Sequence, residues 1–262
     1  MSETMVIKVG GSTLEDVARL GPLWRMLASM RGVVLVHGGG KAVDALLGRL
    51  QIPVERRDGL RVTPPEQIDL IAGVLAGSVN KRLVGALNAA GASAVGLCLG
   101  DGAMVACRVA AAELGRVGTV EGGRADLLRV LMEQGFMPVV SSIGIDDGGG
   151  LLNINADDAA AGVAAALRAR RLVLLTDVAG IKGRDGVVRE RLGAGEVEAM
   201  IASGEISGGM IVKARSALAA ARSTGAAVVI LSGETPEPLQ FLLQGRPVGT
   251  TIEPVESIGH RA

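Results

Sequence analysis

Lys8 lies near the end of a short apolar run that is rich in β-branched residues, and Gly10 and Gly11 follow it closely. A buried ammonium group is costly unless an anion meets it, so a lysine in such a strand points to an anionic ligand. Glycines after the strand would let backbone N–H groups approach that ligand. The same residues also fit a lysine that reaches solvent from an ordinary turn.

A run of three glycines, Gly38 to Gly40, separates a second predicted strand from a predicted helix. Consecutive backbone N–H groups in such a loop can form a cradle for an anion. The run matches neither the GxxxxGK[ST] phosphate loop nor the GxGxxG dinucleotide fingerprint. Lys41, directly after the run, fits a solvated helix start as well as a phosphate contact. His37, directly before it, is interpreted as a buried structural side chain rather than a catalytic base.

Arg61 lies in a stretch that leads into a predicted helix. Thr63 is predicted to cap this helix, with Pro64 at its first position and Glu66 completing a capping box. Capping accounts for these three residues and leaves Arg61 unexplained. A guanidinium group beside a helix start suits the bidentate binding of a carboxylate, although a surface ion pair would explain it as well.

Four polar residues, Asn153, Asn155, Asp157 and Asp158, precede or begin an alanine-rich predicted helix. Asn155 is predicted to be the N-cap of this helix. Asn153 could offer its amide to a ligand. The two acids could hold lysines or a metal ion, but the helix dipole alone also favours acids in a first turn.

The pairing of a lysine with glycines recurs in the second half of the chain, where Gly208 and Gly209 precede Lys213 at a predicted helix start. The segment 175–181 follows a predicted strand and looks like a turn beside a nucleotide. One such pairing indicates little. Two pairings and a triple glycine together favour a phosphate-binding site.

Strands and helices alternate along the chain and would bring these residues together. Strands are predicted over 5–9, 33–36, 94–99, 137–141, 171–175 and 227–231, and helices over 17–30, 43–50, 68–90, 125–134, 157–168, 197–203, 213–223 and 236–244. This order predicts a mostly parallel sheet with helices on both faces. Ligands bind such sheets beyond the carboxyl ends of the strands, where the glycine loops fall. A lobe boundary is predicted near Arg170.

The composition suits that fold and argues against other classes. Hydrophobic residues make up 48% of the 262 residues but aromatic residues only 1%, as expected for parallel strands covered by helices. The 27 basic and 27 acidic residues cancel, so no nucleic-acid surface is expected. Cys98 and Cys107 are expected to be free thiols. With no signal peptide and no apolar run of ~18 residues, a cytoplasmic protein without membrane contact is expected.

Six motifs taken together resemble the amino acid kinase family: KVGGS, HGGGK, GLRVTP, LNINADDAA, LTDVAGI and GGMIVK. The stretch DGLRVTPPEQIDLIAGVLAGSVNK is similar to the members that phosphorylate N-acetyl-L-glutamate, whereas carbamate, uridylate and aspartate kinases differ there. SSIG and GTTIEP agree with the same members. The resemblance extends over nearly the whole chain, with the motifs in order.

The resemblance implies a three-layer α/β/α sandwich with a mostly parallel central sheet. Residues 1–170 would form an N-terminal lobe for the amino-acid substrate and dimerisation, and residues 171–262 a C-terminal lobe for ATP. The implied reaction transfers the γ-phosphoryl group of ATP to the γ-carboxylate of N-acetyl-L-glutamate, the second step of arginine synthesis from glutamate. Mg²⁺ would be expected to bridge the donor phosphates.

The resemblance also implies roles for individual residues. Lys8 and Lys213 would contact the transferring phosphoryl group, and Asp157 would orient both lysines. Gly10 and the catalytic Gly11 would offer backbone N–H groups to phosphate oxygens. The residues implied to hold the amino-acid substrate are Gly39, Gly40, Arg61 and Asn153. Those implied to line the nucleotide are Asp177, Val178, Ala179, Gly180, Ile181, Lys182, Glu205, Ile206 and Ser207.

The resemblance to the family also implies an assembly. Arginine-inhibited members of the family carry an additional N-terminal helix that joins dimers into a hexamer. The first predicted strand begins at about residue 5, so a homodimer without arginine feedback is expected.

Two other functions stay open. One is phosphorylation of a related acyl-amino acid, such as carrier-linked α-aminoadipate; those relatives usually replace part of HGGGK and NINAD, which this chain retains. The other is a non-catalytic amino-acid sensor, which would not need Lys8 and Lys213. A dinucleotide-dependent oxidoreductase is disfavoured because no GxGxxG motif follows the first strand.

Overall fold

The computed structural model describes residues 4–10, 14 and 17–254. Its strands are β1 (Met5–Val9), β2 (Val33–His37), β3 (Arg56–Arg57), β4 (Leu60–Arg61), β5 (Ala94–Cys98), β6 (Val105–Val109), β7 (Val117–Gly123), β8 (Met137–Ser141), β9 (Ile143–Ile145), β10 (Leu151–Ile154), β11 (Arg171–Thr176), β12 (Arg191–Leu192), β13 (Ala227–Ser232) and β14 (Thr250–Ile252). Its α-helices are α1 (Gly21–Ser29), α2 (Gly40–Arg49), α3 (Ile68–Ala72), α4 (Asn80–Ala89), α5 (Asp126–Glu133), α6 (Ala156–Leu167), α7 (Ala194–Ala202), α8 (Gly209–Thr224) and α9 (Glu237–Leu243).

An eight-stranded sheet forms the middle layer, in the order β12-β14-β13-β11-β1-β2-β8-β5. The strands from β13 to β5 are parallel to their neighbours, and β14 is antiparallel to β13. One apolar core lies under α1, α4 and α9, and another under α5 to α8. The predicted three-layer α/β/α class with a mostly parallel sheet is therefore confirmed. Because β1 pairs with β11, strands from before and after residue 170 share this sheet.

The alternation of side chains along β1 determines the direction of Lys8. Ile7 and Val9 are buried in the core under α1, α4 and α9, whereas Val6 belongs to the opposite core. Successive side chains of a strand point to opposite faces, so Lys8 shares the face of Val6. Helix α6 packs against β1 there, and its first turn meets the lysine.

Two β-structures are absent from the sequence prediction. The first is a four-stranded sheet in the order β6-β7-β10-β9, and the second is the hairpin β3-β4. Most of their strands are short or partly exposed, and the longest, β7, ends in the exposed Gly122 and Gly123, so no continuous apolar run marks the sheet or the hairpin. The hairpin has its own sequence signal, the dipeptide Asp58-Gly59. Both residues have positive φ (49° and 82°), as a two-residue type I′ turn requires.

Two predicted helices differ in detail from the structure. The helix predicted over 17–30 begins as a 3₁₀ turn, Val17–Leu20, before α1. The helix predicted over 68–90 contains a π-helical segment, Gly73–Val79, between α3 and α4.

Among the described residues, the helical run Pro65–Ala89 is long and apolar enough to cross a membrane, with a mean hydropathy of 1.3. Its Leu83 and Leu87 are fully buried in the core beneath the sheet, as in a core helix.

Both cysteines are free thiols, as predicted. Cys98 is half-buried and Cys107 is buried. Burial raises the pKa of Cys98, and it raises the pKa of Cys107 to about 11. Both side chains are therefore protonated near neutral pH.

Candidate active site

Lys8 and Asp157 form an ion pair near the carboxyl end of β1. Nζ of Lys8 lies 2.9 Å from Oδ1 of Asp157, and the two side chains are 14% and 22% exposed. An ammonium group so far removed from water needs an anion beside it, and Asp157 supplies one. The ion pair therefore fixes the position of the lysine side chain.

Gly10 passes directly beneath the side chain of Lys8. A Cβ atom at this position would lie 2.8 Å from Cε of Lys8 and closer still to Nζ. Any other residue would therefore displace the ammonium group. Gly11 lies outside the described residues, so its implied contact with phosphate stays a prediction.

The start of helix α6 places Asp157. Oδ1 of Asn155 accepts the backbone N–H of Asp157 at 2.8 Å and that of Asp158 at 3.4 Å. Asn155 is therefore the N-cap, as predicted. Burial raises the pKa of Asp158, and the neighbouring charge of Asp157 adds to this effect. The cap holds Asp157 in the first turn, where the helix dipole favours a negative charge.

The glycine loop after β2 is packed between two helical segments. A Cβ atom at Gly38 would lie 2.9 Å from Cβ of Ala156, at the start of α6. A Cβ atom at Gly39 would lie 2.9 Å from Cδ2 of Leu75, in the π-helical segment. Residues without side chains are therefore needed here, because they bring the loop backbone beside the first turn of α6.

His37 is fully buried next to this loop. Nδ1 of His37 lies 2.8 Å from the carbonyl oxygen of Gly38, and Nε2 lies 3.0 Å from Nδ2 of Asn80. The carbonyl can only accept and the amide nitrogen can only donate, so Nδ1 carries the proton and Nε2 accepts. Burial lowers the pKa of His37 to about 4. The imidazole is thus neutral at physiological pH and serves the structure, in agreement with its interpretation from sequence.

A cavity of about 250 Å³ opens where β1, β2 and β10 end. Six residues predicted for the site line it: Lys8, Gly10, Gly39, Gly40, Arg61 and Asn153. An ammonium group, a guanidinium group and the backbone of two glycine loops meet there. This combination suits a small molecule that carries more than one negative charge.

Asn153 is oriented by Thr63 at the cavity wall. Nδ2 of Asn153 donates to Oγ1 of Thr63 at 3.0 Å, and the Thr63 hydroxyl donates to the carbonyl oxygen of Arg61 at 3.0 Å. The predicted capping box of Thr63, Pro64 and Glu66 is wrong: Pro64 occupies the cap position, and no side chain caps the turn. The buried hydroxyl of Thr63 is already engaged by Arg61 and Asn153.

Arg61 lies in the hairpin rather than in a loop, and its side chain is only 8% exposed. Its Nη2 donates to the carbonyl oxygen of Gly40 at 3.0 Å, and its Nη1 lies 2.7 Å from Oδ1 of Asp44. Oδ2 of Asp44 accepts a hydrogen bond from Nη2 of Arg56, also at 2.7 Å. Burial would raise the pKa of Asp44, but Arg61 and Arg56 together bring it below its ordinary value.

Asp44 and Arg56 are not among the residues predicted for the site. Arg56 lines the cavity and lies directly opposite Arg61 in the hairpin. The dipeptide Asp58-Gly59 is the sequence signal that could have indicated the hairpin, and with it the position of Arg56. No local pattern indicates that Asp44, on α2, is the acid that reaches both arginines.

Lys213 pairs with Asp177 and not with Asp157. Nζ of Lys213 lies 2.5 Å from Oδ1 of Asp177, which follows β11 directly. The implied orientation of both lysines by Asp157 stays a prediction; in this structure Asp157 pairs with Lys8, and Asp177 pairs with Lys213. The hydrogen bond from Lys213 lowers the pKa of Asp177, and the charge of Lys41 contributes.

The turn implied to line the nucleotide, from Asp177 to Lys182, follows β11. The N–H of Val178 donates to Oγ1 of Thr176 at 3.2 Å, and the N–H of Ile181 donates to Oγ1 of Thr250 at 2.8 Å. Ala179 and Gly180 lie between these two anchors. The side chain of Ile181 is fully buried, so a ligand could reach this residue only through its backbone.

The segment from Glu205 to Ser207 precedes α8. Oε1 of Glu205 accepts the N–H of Arg184 at 2.9 Å, so this segment is tied to the loop after Lys182. The side chain of Ile206 belongs to the core, and Ser207 is exposed. Along the chain, both implied nucleotide segments lie between the end of β11 and the start of α8.

Two lysine–carboxylate pairs lie near the ends of adjacent strands. Lys8 lies on β1, and Asp177, the partner of Lys213, follows the neighbouring strand β11. Such cations can neutralise the oxygens of a transferring phosphoryl group. Within the residues that the structure describes, no cluster of three or more His, Cys, Asp or Glu side chains could hold a metal ion.

The motifs and the fold agree with a family defined by sequence. Residues 3–232 match the model of the amino acid kinase family. The chain belongs to the amino acid kinase family, as its motifs predicted.

Relatives and a solved structure narrow the comparison. The acetylglutamate kinase of Colwellia psychrerythraea (strain 34H) is 44% identical over 252 residues, which are 95% of this chain and 96% of that protein. The acetylglutamate kinase of Yersinia pestis (strain Pestoides F) is 45% identical over 257 residues, 96% and 99% of the two chains. The N-acetylglutamate synthase of Neisseria gonorrhoeae, solved with coenzyme A and N-acetyl-glutamate, superposes with a TM-score of 0.80 at 27% identity, over 96% of this chain and 59% of that one.

Proposed function

We propose that this protein catalyses the reaction of an acetylglutamate kinase. It transfers the γ-phosphoryl group of ATP to the γ-carboxylate of N-acetyl-L-glutamate, giving N-acetyl-L-glutamyl 5-phosphate and ADP. The observation that carries the proposal is the cavity that brings Lys8, Arg61 and Asn153 together with two glycine loops. Full-length relatives with 44–45% identity bear the name of this enzyme.

The reaction needs charge neutralisation rather than a base. A γ-carboxylate with an ordinary pKa of ~4.3 is ionised at neutral pH and can attack directly. Its oxygen bonds to the γ-phosphorus while the bond to the β–γ bridging oxygen breaks, and ADP leaves. Lys8, held by Asp157, and Lys213 would neutralise the phosphoryl oxygens. The buried, neutral His37 has no part in this step.

The acceptor is assigned to the cavity. Arg61 would bind the α-carboxylate, the Asn153 amide would bind the polar backbone of the substrate, and the N–H groups of Gly39 and Gly40 would complete its contacts. The γ-carboxylate would then point towards Lys8. Gly10 and Gly11 would offer backbone N–H groups to the phosphoryl group.

ATP is assigned to the second half of the chain, with residues 171–262 as the nucleotide lobe and residues 1–170 as the acceptor lobe. The segments from Asp177 to Lys182 and from Glu205 to Ser207 would line it. Mg²⁺ would be held mainly by the donor phosphates of ATP rather than by an all-protein cage, and it would neutralise part of their charge. We further propose that the protein is a cytoplasmic homodimer, and light scattering of the purified protein would check the dimer.

The decisive experiment compares three acceptors in a coupled assay of ADP release: N-acetyl-L-glutamate, L-glutamate and N-acetyl-α-aminoadipate. The proposal predicts the highest kcat/KM with N-acetyl-L-glutamate. Preference for the aminoadipate compound would favour the kinase of a related acyl-amino acid. Binding of N-acetyl-L-glutamate without any release of ADP would favour a sensor.

A further inference from the structure

The hairpin β3-β4 presents two guanidinium groups at the acceptor cavity. Arg56 and Arg61 occupy directly opposite positions on its two strands, and both line the cavity. Like charges opposite each other in an antiparallel pair repel. A two-stranded hairpin is also marginally stable when nothing holds it. Something outside the ribbon must therefore keep these two side chains in place.

Asp44 provides that contact from helix α2. Each oxygen of its carboxylate meets a different arginine: Oδ1 lies 2.7 Å from Nη1 of Arg61, and Oδ2 lies 2.7 Å from Nη2 of Arg56. The contact with Arg56 is a charge-assisted hydrogen bond, a short and specific type of contact. The contact with Arg61 is an ion pair by distance, without hydrogen-bond geometry. The trio of two arginines and one acid keeps a net positive charge, which still attracts an anion.

Helix α2 gives Asp44 a fixed position. The helix begins at Gly40, whose carbonyl oxygen also accepts from Nη2 of Arg61. Val43 and Leu47 on the same helix are buried. The carboxylate of Asp44 therefore projects from helix α2 onto the hairpin β3-β4. It connects the hairpin to the wall of the cavity that the glycine loop after β2 forms.

We infer that Asp44 is a positioning residue that holds Arg56 and Arg61 ready for the non-reacting carboxylate of the acceptor. Arg56 is then a second carboxylate-binding residue beside Arg61. The inference rests on the proposed function, because it assigns this pair of guanidinium groups to the α-carboxylate of the same substrate. It makes the affinity for dicarboxylic acceptors depend on a residue that does not itself contact them.

The test uses Asp44→Asn, Asp44→Glu and Arg56→Ala, with Arg57→Ala as matched control. Arg57 is the neighbouring residue on β3, pairs with Glu55 at 2.7 Å and does not line the cavity. Loss of a charge-assisted contact predicts that Asp44→Asn raises KM for N-acetyl-L-glutamate by about 10- to 100-fold. The KM for ATP and kcat should change little, Asp44→Glu should recover part of the loss, and Arg57→Ala should resemble wild type.

An acceptor analogue separates positioning from a general structural role. In N-acetyl-isoglutamine the α-carboxylate is an amide while the reactive γ-carboxylate remains. The Asp44→Asn penalty should largely disappear with this acceptor, as should that of Arg56→Ala. An equal penalty with both acceptors, or an unchanged or lower KM in Asp44→Asn, would overturn the inference.

A measurement without substrate distinguishes failure of this inference from failure of the proposed function. In the hairpin, the N–H of Val62 donates to the carbonyl oxygen of Glu55. Asp44→Asn should accelerate hydrogen exchange across residues 55–62, whereas Arg57→Ala should not. Suppose that Asp44→Asn accelerates exchange but the wild-type protein phosphorylates none of the acceptors. The proposed function would then be wrong, while the role of Asp44 in holding the hairpin would stand. Unchanged exchange would reject the role of Asp44.

Discussion

A methyl group at Gly10 would displace Lys8 without removing it. The new Cβ would lie 2.8 Å from Cε of Lys8, whereas carbon atoms in contact are ~3.5–4.0 Å apart. The end of the side chain must therefore move by roughly 1 Å from its position beside Asp157. A misplacement of ~1 Å in a reacting geometry can reduce the rate by ~100-fold, or ~2.7 kcal/mol. We expect this loss in kcat for Gly10→Ala, because the displaced atom is the cation assigned to the phosphoryl group.

The fold should tolerate the same change, since the atoms in the way belong to the flexible end of a lysine. Gly48→Ala is the matched control: Gly48 lies on α2, and a Cβ atom there meets nothing within 4 Å. Steady-state kinetics with N-acetyl-L-glutamate and thermal unfolding of both variants measure the effect. Wild-type kcat in Gly10→Ala would refute the argument that the position of Lys8 matters. A large loss in Gly48→Ala would show that the effect is not specific.

Three further predictions concern the groups around the cavity. Thr63→Val removes the acceptor of the Asn153 amide and should raise KM for N-acetyl-L-glutamate by roughly 10-fold with little change in kcat. Asn155→Ala removes the cap of α6 and should lower the free energy of unfolding by ~1 kcal/mol, whereas Asn155→Ser should retain most of it. His37 has a pKa of about 4 when folded and 6.5 as its ordinary value. As pH falls, the unfolded chain therefore takes up a proton at His37 before the folded protein does. The free energy of unfolding should then decrease by up to ~1.4 kcal/mol per pH unit from pH 6.5 towards pH 4.

Each of these predictions has a result that would contradict it. An unchanged KM in Thr63→Val would show that the threonine does not orient the amide. Equal unfolding curves for wild type and Asn155→Ala, by chemical denaturation, would exclude the cap as a source of stability. A histidine ring assigned to His37 by NMR that titrates near pH 6.5 would contradict its buried, neutral state.

The parallel sheet and several residues of the candidate active site could be predicted because their sequence signals are local. β-branched runs that end in glycines marked β1 and β2, and they made Lys8 and the triple glycine candidates for an anion site. Asn155 followed from a cap preference that depends on its own backbone position. The motif resemblance assigned Gly39, Gly40, Arg61 and Asn153 to the amino-acid substrate, and the structure brings all four to the same cavity as Lys8.

The partners of the charged groups could not be predicted in the same way. Asp44 and Arg56 are 12 residues apart and meet only because the hairpin folds over α2. Lys213 pairs with Asp177, 36 residues away, although Asp157 was the implied partner. Which acid a lysine meets depends on how strands and helices are placed relative to one another, and residue types alone do not encode that placement.

The central claim is that a carboxylate in the cavity receives the phosphoryl group of ATP. The most direct measurement is the trapping of an acyl phosphate with hydroxylamine after incubation of the protein with ATP, Mg²⁺ and N-acetyl-L-glutamate. We expect a hydroxamate in an amount equal to the ADP formed, and none when the acceptor is omitted. ADP that forms at the same rate without the acceptor, or without any hydroxamate, would contradict it.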